Sequence, residues 1–401
     1  MSKDSIAREA VRIQESSNCI GCGLCQVVFK DRCKMYLGND GTYKIEFFKA
    51  VDENAFVNLC PVVYNSYITK NIWGEIRKSY IAYASNPQIR YKGSSGGVIT
   101  ALAIYLLKEH LVDGIIQVGA DESDPLKNIV QISRNEEDIL RCCGSRYAPV
   151  SMFASAYEKL GENENYCLVG KPCDIRAFKN YMSLFPTHTW KIKYTLSFFC
   201  AGVPSENATE EVLKKMGIEK NDVVSFDYRG NGWPGYTRAV CRDGRCGEME
   251  YNESWGAILG RHLHSGCKLC VDGVGVSADI ACGDAWLSDE KGYPVFKEAD
   301  GRNIVLVRSS EGQDIFNKAI EKGYVFGDEV ENTENSLVKM QPYQYKRKAL
   351  MCTKIRIMRL FKKYTPKYGN MLRNWDKQVP LKDKVLYAKG TVERIVKNKI
   401  R

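Results

Sequence analysis

The feature that most constrains this chain is a cysteine run near its start, Cys19-x-x-Cys22-x-x-Cys25, followed much later by Cys60-Pro61. Bacterial ferredoxin segments of the duplicated kind carry C-x2-C-x2-C-x3-C-P in each half, and the last cysteine of one half binds the cluster of the other. Here the first half keeps three cysteines, and its fourth position is Phe29, followed by Lys30 instead of proline. Counting back from Cys60, the other positions of the second half hold Phe56, Glu53 and Ala50. The losses remove every ligand of one cluster and keep all four of the other. The pattern predicts one [4Fe–4S] cluster on Cys19, Cys22, Cys25 and Cys60. The competing readings are a structural zinc knuckle and buried thiols. Gly21 and Gly23 suit a loop that wraps closely around a cluster and turns N–H groups toward sulfur. Cys33 reads as an additional buried thiol.

Sixteen cysteines stand against four histidines in 401 residues, which favours thiolate-bound metal over a His-rich site. The N-terminal MSKDSIAREAVRIQESSNC has no apolar core of a secretory signal, and no apolar run reaches membrane-spanning length. A cytoplasmic setting is therefore expected, where cysteines serve metals or redox chemistry and not a disulfide framework. At 44% hydrophobic residues the composition is that of a globular chain, long enough for two or three domains.

From Ser79 onward the pattern is α/β. IAYAS (81–85) reads as a strand, GSSGG (93–97) as a turn, VITALAIYLLKEHLV (98–112) as an apolar helix and DGIIQVGA (113–120) as a buried strand. CLVG followed by KPCDIRAFKNYM repeats the theme. KYTLSFFCAG, VVSFDYRGNGWPG, ADIACGDAW and NIVLVRSS read as further strands, CRDGRC as a hairpin turn, and EGQDIFNKAIEKG as a capped helix.

Cys267-x-x-Cys270 is a second ligand-grade pair, but one such pair cannot complete a cluster. Two partners must come from elsewhere. Cys173 in VGKPCD and Cys200 in FFCAGVPS stand at strand ends, where α/β folds gather their sites. Cys142, Cys143, Cys167, Cys241, Cys246, Cys282 and Cys352 compete, and spacing alone does not choose. GSSGGV opens a helix after a strand. Its backbone N–H groups and the hydroxyls of Ser94 and Ser95 could hold an anion such as a flavin phosphate, or form only a tight turn. It is neither a dinucleotide-binding G-x-G-x-x-G nor a P-loop.

NCIGCGLC, KGSSGGVITALAIYLLKEHLVDGII, GSRYAP, LVGKPCDIRAF, FFCAGVPS and CKLCVDGVGVSADIACGDAW, taken in order, resemble the coenzyme F420 hydrogenase/dehydrogenase beta-subunit family, which includes flavin- and iron–sulfur-containing reductases such as 7-hydroxymethyl chlorophyll a reductase. The resemblance covers about residues 19 to 310. It implies FAD at the Gly-rich loops and a second [4Fe–4S] cluster, for which Cys173, Cys200, Cys267 and Cys270 lie inside matching motifs. It also makes Ser95, Gly96, Gly97, Ser145, Arg146 and Asp284 candidates for lining the flavin. Where the family commonly reads G-T-P-C, this chain has GKPC, and Lys171 would place a cation beside the cofactors and favour their reduced states.

The expected architecture is an α/β, mixed-sheet catalytic domain (76–335) behind a ferredoxin-like 4Fe-4S domain (1–75), with a basic, helical C-terminal extension (336–401). The expected function is a redox relay. Ferredoxin or a reduced deazaflavin donates electrons, two clusters pass them singly, and FAD reduces an organic substrate. Tyr147, Asp284, His262 and His264 are candidate proton donors, although the histidines read first as polar loop residues. From Lys339 onward 19 Lys and Arg oppose Asp376, Asp383 and Glu393, a net +16, while the remaining 39 basic and 45 acidic residues leave −6. Met351, Ile355 and Met358 fall at helical spacing among these cations. The extension therefore suggests contact with an anionic membrane at the inner leaflet. The chain also resembles relatives found with bacterial surface-polysaccharide assembly, which implies a sugar intermediate of that synthesis as substrate. A helix docked on the acidic body is the competing reading. Two other functions fit less of the sequence: an electron-transfer subunit of a larger oxidoreductase, and a zinc-bearing nucleic-acid binder.

Overall fold

The architecture is built on β-strands whose composition tells how deeply they sit. In a computed structural model, residues 7–63, 69–187, 190–287, 289, 295–331, 334–368 and 370–397 are described. In chain order the strands are β1 Cys33–Leu37, β2 Tyr43–Phe47, β3 Lys78–Ala84, β4 Gly114–Ala120, β5 Asn128–Ser133, β6 Asn165–Gly170, β7 Lys191–Phe198, β8 Val223–Asp227, β9 Thr237–Cys241, β10 Cys246–Met249, β11 Ile280–Asp284, β12 Asn303–Val307 and β13 Val325–Glu329. Eight of them form one sheet in the order β13–β3–β12–β11–β7–β6–β4–β5. The neighbours β4/β6, β6/β7 and β7/β11 are parallel, and the flanking pairs are antiparallel. The expected mixed sheet is thus present.

β6, in the parallel part, and β12, antiparallel to both neighbours, read as unbroken apolar runs because both faces of the sheet are covered there. One cover is the helix Val98–Lys108, buried on nearly all sides, with Ser310–Glu321 beside it. The second helix is capped by Ser309, whose Oγ accepts the Gly312 N–H at 2.9 Å. β5 and β13 escape a reading by hydrophobic pattern because they are edge strands with mixed burial. The hairpin at CRDGRC is present between β9 and β10, which form a small sheet with β8.

The N-terminal segment has its own core of Ile13, Cys33, Ile45, Phe47 and Phe56 around the β1–β2 hairpin. The expected polar helix occupies Arg8–Glu15, and the part of it in residues 1–6 lies outside the described residues.

The C-terminal extension departs from the membrane expectation. Its helices Met351–Leu360 and Met371–Lys377 turn Met351, Ile355, Leu372 and Trp375 against Trp73, Val271, Ile304 and Leu306 of the body. Met358 packs with Leu269 and Ile395 and is fully buried. The apolar stripe read as a membrane face is therefore core, and apolar packing continues across residue 335. Arg356, Lys362 and Lys377 face outward from the docked helices, while Arg347, Lys348 and Lys354 are buried. Among the described residues no helix is long and apolar enough to cross a membrane. Met358→Ala should lower unfolding free energy by about 2–5 kcal/mol, read by chemical denaturation. A solvent-facing methionine would leave it unchanged.

Candidate functional site: two thiol sets and a cavity

The first site is made by a loop that cannot carry side chains where it turns. Gly21 and Gly23 are left-handed, with φ of +73° and +82°, and a Cβ on Gly21 would lie 2.7 Å from Cβ of Tyr43. This turn brings Cys19, Cys22 and Cys25 to Cys60, which ends the helix Glu53–Leu59. Burial, reinforced by the neighbouring thiols, pushes Cys19 up to about 12 and Cys22 and Cys25 well above their ordinary value. Burial also pushes Cys60 up to about 11. The N–H groups of Gly21 and Ile45 oppose this at Cys19, and those of Val62 and Val63 at Cys60. Such donors favour thiolate. Among the described residues no three Cys, His, Asp or Glu side chains converge tightly enough for a single metal ion. Tetrahedral zinc needs sulfurs ~3.8 Å apart, from its Zn–S bond of about 2.3 Å. Cys33 is buried in the adjacent core.

The second set comes from three strand-end segments. Cys173 is in the first turn of the helix Pro172–Leu184 after β6, and Cys200 follows β7. Cys267 and Cys270 lie on and just after the turn Gly266–Leu269, ahead of β11. Burial raises Cys173 and Cys200 and pushes Cys267 up to about 12, and these thiols and Cys270 act on one another. The N–H of Val203 meets Cys267 Sγ at 3.4 Å, and that of Asp272 meets Cys270 Sγ at 3.3 Å. The competing cysteines are elsewhere. Cys167 is inside the sheet core, Cys142 sits against Gln131, Cys143 against Thr100, and Cys241 and Cys246 are in the small sheet. Cys282 is on β11, and Cys352 is in the extension's core.

Beside this set is a cavity of about 460 Å³. Ser94, Ser95, Gly97, Ser145, Arg146, Tyr147, Lys171 and Asp284 all line it, and so does Cys200. Gly96 does not. It backs onto the sheet, where a Cβ would lie 2.8 Å from the Ala82 carbonyl oxygen. Several expected roles also change. Ser94 and Ser95 donate their hydroxyls to the carbonyls of Arg229 (3.0 Å) and Arg302 (2.9 Å), closing the loop instead of pointing at an anion. Arg146 spends its guanidinium on Asn128 and on the carbonyls of Pro125, Lys127 and Phe226. Lys171 is bound by Asp174 at 2.7 Å, so the pair adds no net charge beside the thiols. The groups left for a ligand are backbone N–H groups of the helix's first turn, Tyr147 and an aromatic wall.

That wall is organised by Arg229, which sequence reading passed over. Its guanidinium holds Asp284 through two bonds of 2.7 and 3.0 Å and lies over the rings of Tyr251 and Trp286. Trp233 donates to the same carboxylate at 2.8 Å and stacks on Trp286. The Arg229 carbonyl takes the bonds of the Ser94 hydroxyl and of the Ser145 N–H. The signal was the Gly-rich loop after β8, RGNGWPG, where an arginine opens a turn. Asp284 is thus a fixed partner of Arg229 and poorly placed as a free proton donor. Arg229→Ala should cost about 3–5 kcal/mol of stability by leaving that carboxylate unpaired, measured by denaturation.

The histidines do not reach the cavity. His262 pairs with Glu211 at 2.9 Å, and buried His264 accepts the Gly266 N–H through Nδ1 at 3.0 Å. Burial pushes His264 down to about 4 from 6.5. The unfolded chain therefore takes up this proton first as the pH falls. Stability should drop between about pH 6.5 and 4, and denaturation curves of His264→Gln should show a shallower drop.

Comparison with known proteins gives this geometry a family. Models of the coenzyme F420 hydrogenase/dehydrogenase beta subunit match residues 79–157, as its N-terminal part, and 163–333, as its C-terminal part. The chain belongs to this family. It is 27% identical over 343 residues to a coenzyme F420-dependent sulfite reductase of Methanocaldococcus jannaschii, covering 80% of this chain and 48% of that protein. To the F420-dependent formate dehydrogenase 1 subunit beta of Methanococcus maripaludis it is 28% identical, covering 61% of this chain and 60% of that subunit. The coenzyme F420 hydrogenase subunit beta of Methanococcus voltae is 24% identical, over 69% of this chain and 92% of that subunit. The chain therefore spans about half the length of the sulfite reductase it matches. A chain of the F420-reducing [NiFe] hydrogenase complex from Methanosarcina barkeri shares the fold, with a TM-score of 0.56, 20% identity, and coverage of 77% of this chain and 99% of that one. The beta-subunit family is one of oxidoreductases, and this chain is an oxidoreductase-family member.

Proposed function

We propose that the chain is an iron–sulfur, flavin-dependent electron-transfer subunit that exchanges electrons between coenzyme F420, a deazaflavin, and a partner oxidoreductase. The observation that carries this reading is the shared wall. Cys200 belongs to the second thiol set and also lines the cavity. Residues 1–75 would be the module of the first cluster, on Cys19, Cys22, Cys25 and Cys60. Cys173, Cys200, Cys267 and Cys270 would hold the second. The cavity would hold FAD.

Bound there, a flavin supplies the exchange between two-electron hydride chemistry and one-electron transfer. The chain's own residues do the rest. The first turn of the helix Val98–Lys108 offers N–H groups to a phosphate. Arg229 and Asp284 fix the aromatic wall against which a planar ring can lie. Tyr147, packed on Trp255, is one of the hydroxyls at the cavity able to hold a proton, beside those of Tyr251 and Tyr343. The electron-transfer reading is favoured over the sugar reductase because the relatives named above are F420-linked hydrogenase, formate dehydrogenase and sulfite reductase proteins. The sugar substrate, the ferredoxin donor and membrane contact draw no support from them.

Anaerobic preparations should contain about eight irons and one flavin per chain, from two four-iron clusters. Cys60→Ala and Cys270→Ala should each remove about four irons, one cluster's worth. Reduced F420 should be oxidised only when a viologen dye is present as acceptor. A colourless, zinc-containing protein, or one inert toward reduced F420, would overturn the proposal.

A further inference from the structure

The matched family models end at residue 333, yet the following helices reach back onto the second thiol set. Gln344 donates to the carbonyl of Cys200 at 3.1 Å, and Arg347 to that of Ala201 at 3.0 Å. Lys354 and Tyr368 donate to the carbonyls of Lys268 and Leu269, between Cys267 and Cys270. Four side chains of the extension thus grip backbone beside three of the four thiols. The approach is close: a Cβ on Gly273 would lie 2.6 Å from a guanidinium nitrogen of Arg347.

Arg347 is the unusual member. It is 8% exposed, and its Nε is buried without a hydrogen-bond partner. Among the described residues no carboxylate forms an ion pair with it. Two other cations near the set are paired, Lys171 by Asp174 and Arg176 by Asp272, each at 2.7 Å, whereas buried Lys348 and Lys354, like Arg347, form no ion pair with a carboxylate among the described residues. Burial works against the charge of Arg347, and the groups near it that favour the charge are Cys270, Tyr343, Cys200 and Cys267. An unpaired, permanently charged guanidinium beside thiols is costly unless negative charge sits there.

We propose that the C-terminal extension is the potential-setting cover of the second cluster, with Arg347 as the positioning residue whose charge stabilises the reduced state. This rests on the assignment of a cluster to Cys173, Cys200, Cys267 and Cys270. Reduction adds one electron and one negative charge to such a centre, and a fixed cation in a dry surrounding favours that form. Gln344, Arg347 and Lys348 are all buried and exclude water from the same side.

The test is an EPR-monitored redox titration of the full chain, prepared anaerobically, with Cys60→Ala as a background that isolates the second cluster. Arg347→Gln should lower the reduced-to-oxidised ratio at fixed potential at least tenfold, a shift of about 59 mV to more negative potential for one electron. Arg347→Lys should keep most of the wild-type value, and in the chain that retains Cys60 the first cluster should not move with either substitution. An unchanged midpoint in Arg347→Gln overturns the proposal. If Arg347→Gln sheds iron, Arg347→Lys must retain both the iron and the potential, or the proposal falls. Wild-type protein whose iron count is unaffected by Cys270→Ala would instead remove the cluster assignment, a separate failure.

Discussion

Everything that this chain can do depends on parallel strands ending at one edge. β6 and β7 run side by side in the same direction, so the segments after them leave from one edge, and the segment ahead of β11 folds back to that edge, where the Gly273 carbonyl takes the Cys200 N–H at 2.8 Å. Cys173 and Cys200 leave β6 and β7, and Cys267 and Cys270 come just ahead of β11. Residues far apart in sequence become neighbours without any local motif joining them. The same edge opens the cavity, because the helix Val98–Lys108 starts there after its Gly-rich turn.

The polar groups around this edge are almost all committed to one another. Ser94, Ser95, Arg146 and Lys171 carry residue types that invite a ligand-binding reading, but each satisfies a partner in the protein. In a buried wall this is required, since an unpaired donor costs more than a paired one returns. The loops are therefore held rigid by side chains, and the ligand is left to backbone, aromatic rings and thiols. Arg229 shows the principle most fully, joining loop, carboxylate and two rings through one residue.

Much of this was legible in the sequence, for identifiable reasons. The strand and helix pattern from Ser79 onward could be read because buried parallel strands and an all-apolar helix leave continuous runs. The first thiol set could be read from spacing, because a tight loop keeps its ligands close in sequence. The second set could not, as its members meet only through the sheet, and family motifs were needed to choose among the cysteines. The extension misled because a basic amphipathic helix has the same pattern whether its apolar stripe meets lipid or protein. Lys171 misled because its partner, Asp174, neutralises it three residues away. Arg229 left only the weak sign of a glycine-rich turn.

The order of these parts along the chain has a consequence for how the protein is made. All the thiols assigned to the two sets precede residue 271, while the side chains that close over the second set come from residues 344 to 368. A ribosome therefore makes every one of these thiols before it makes the residues that cover the second set.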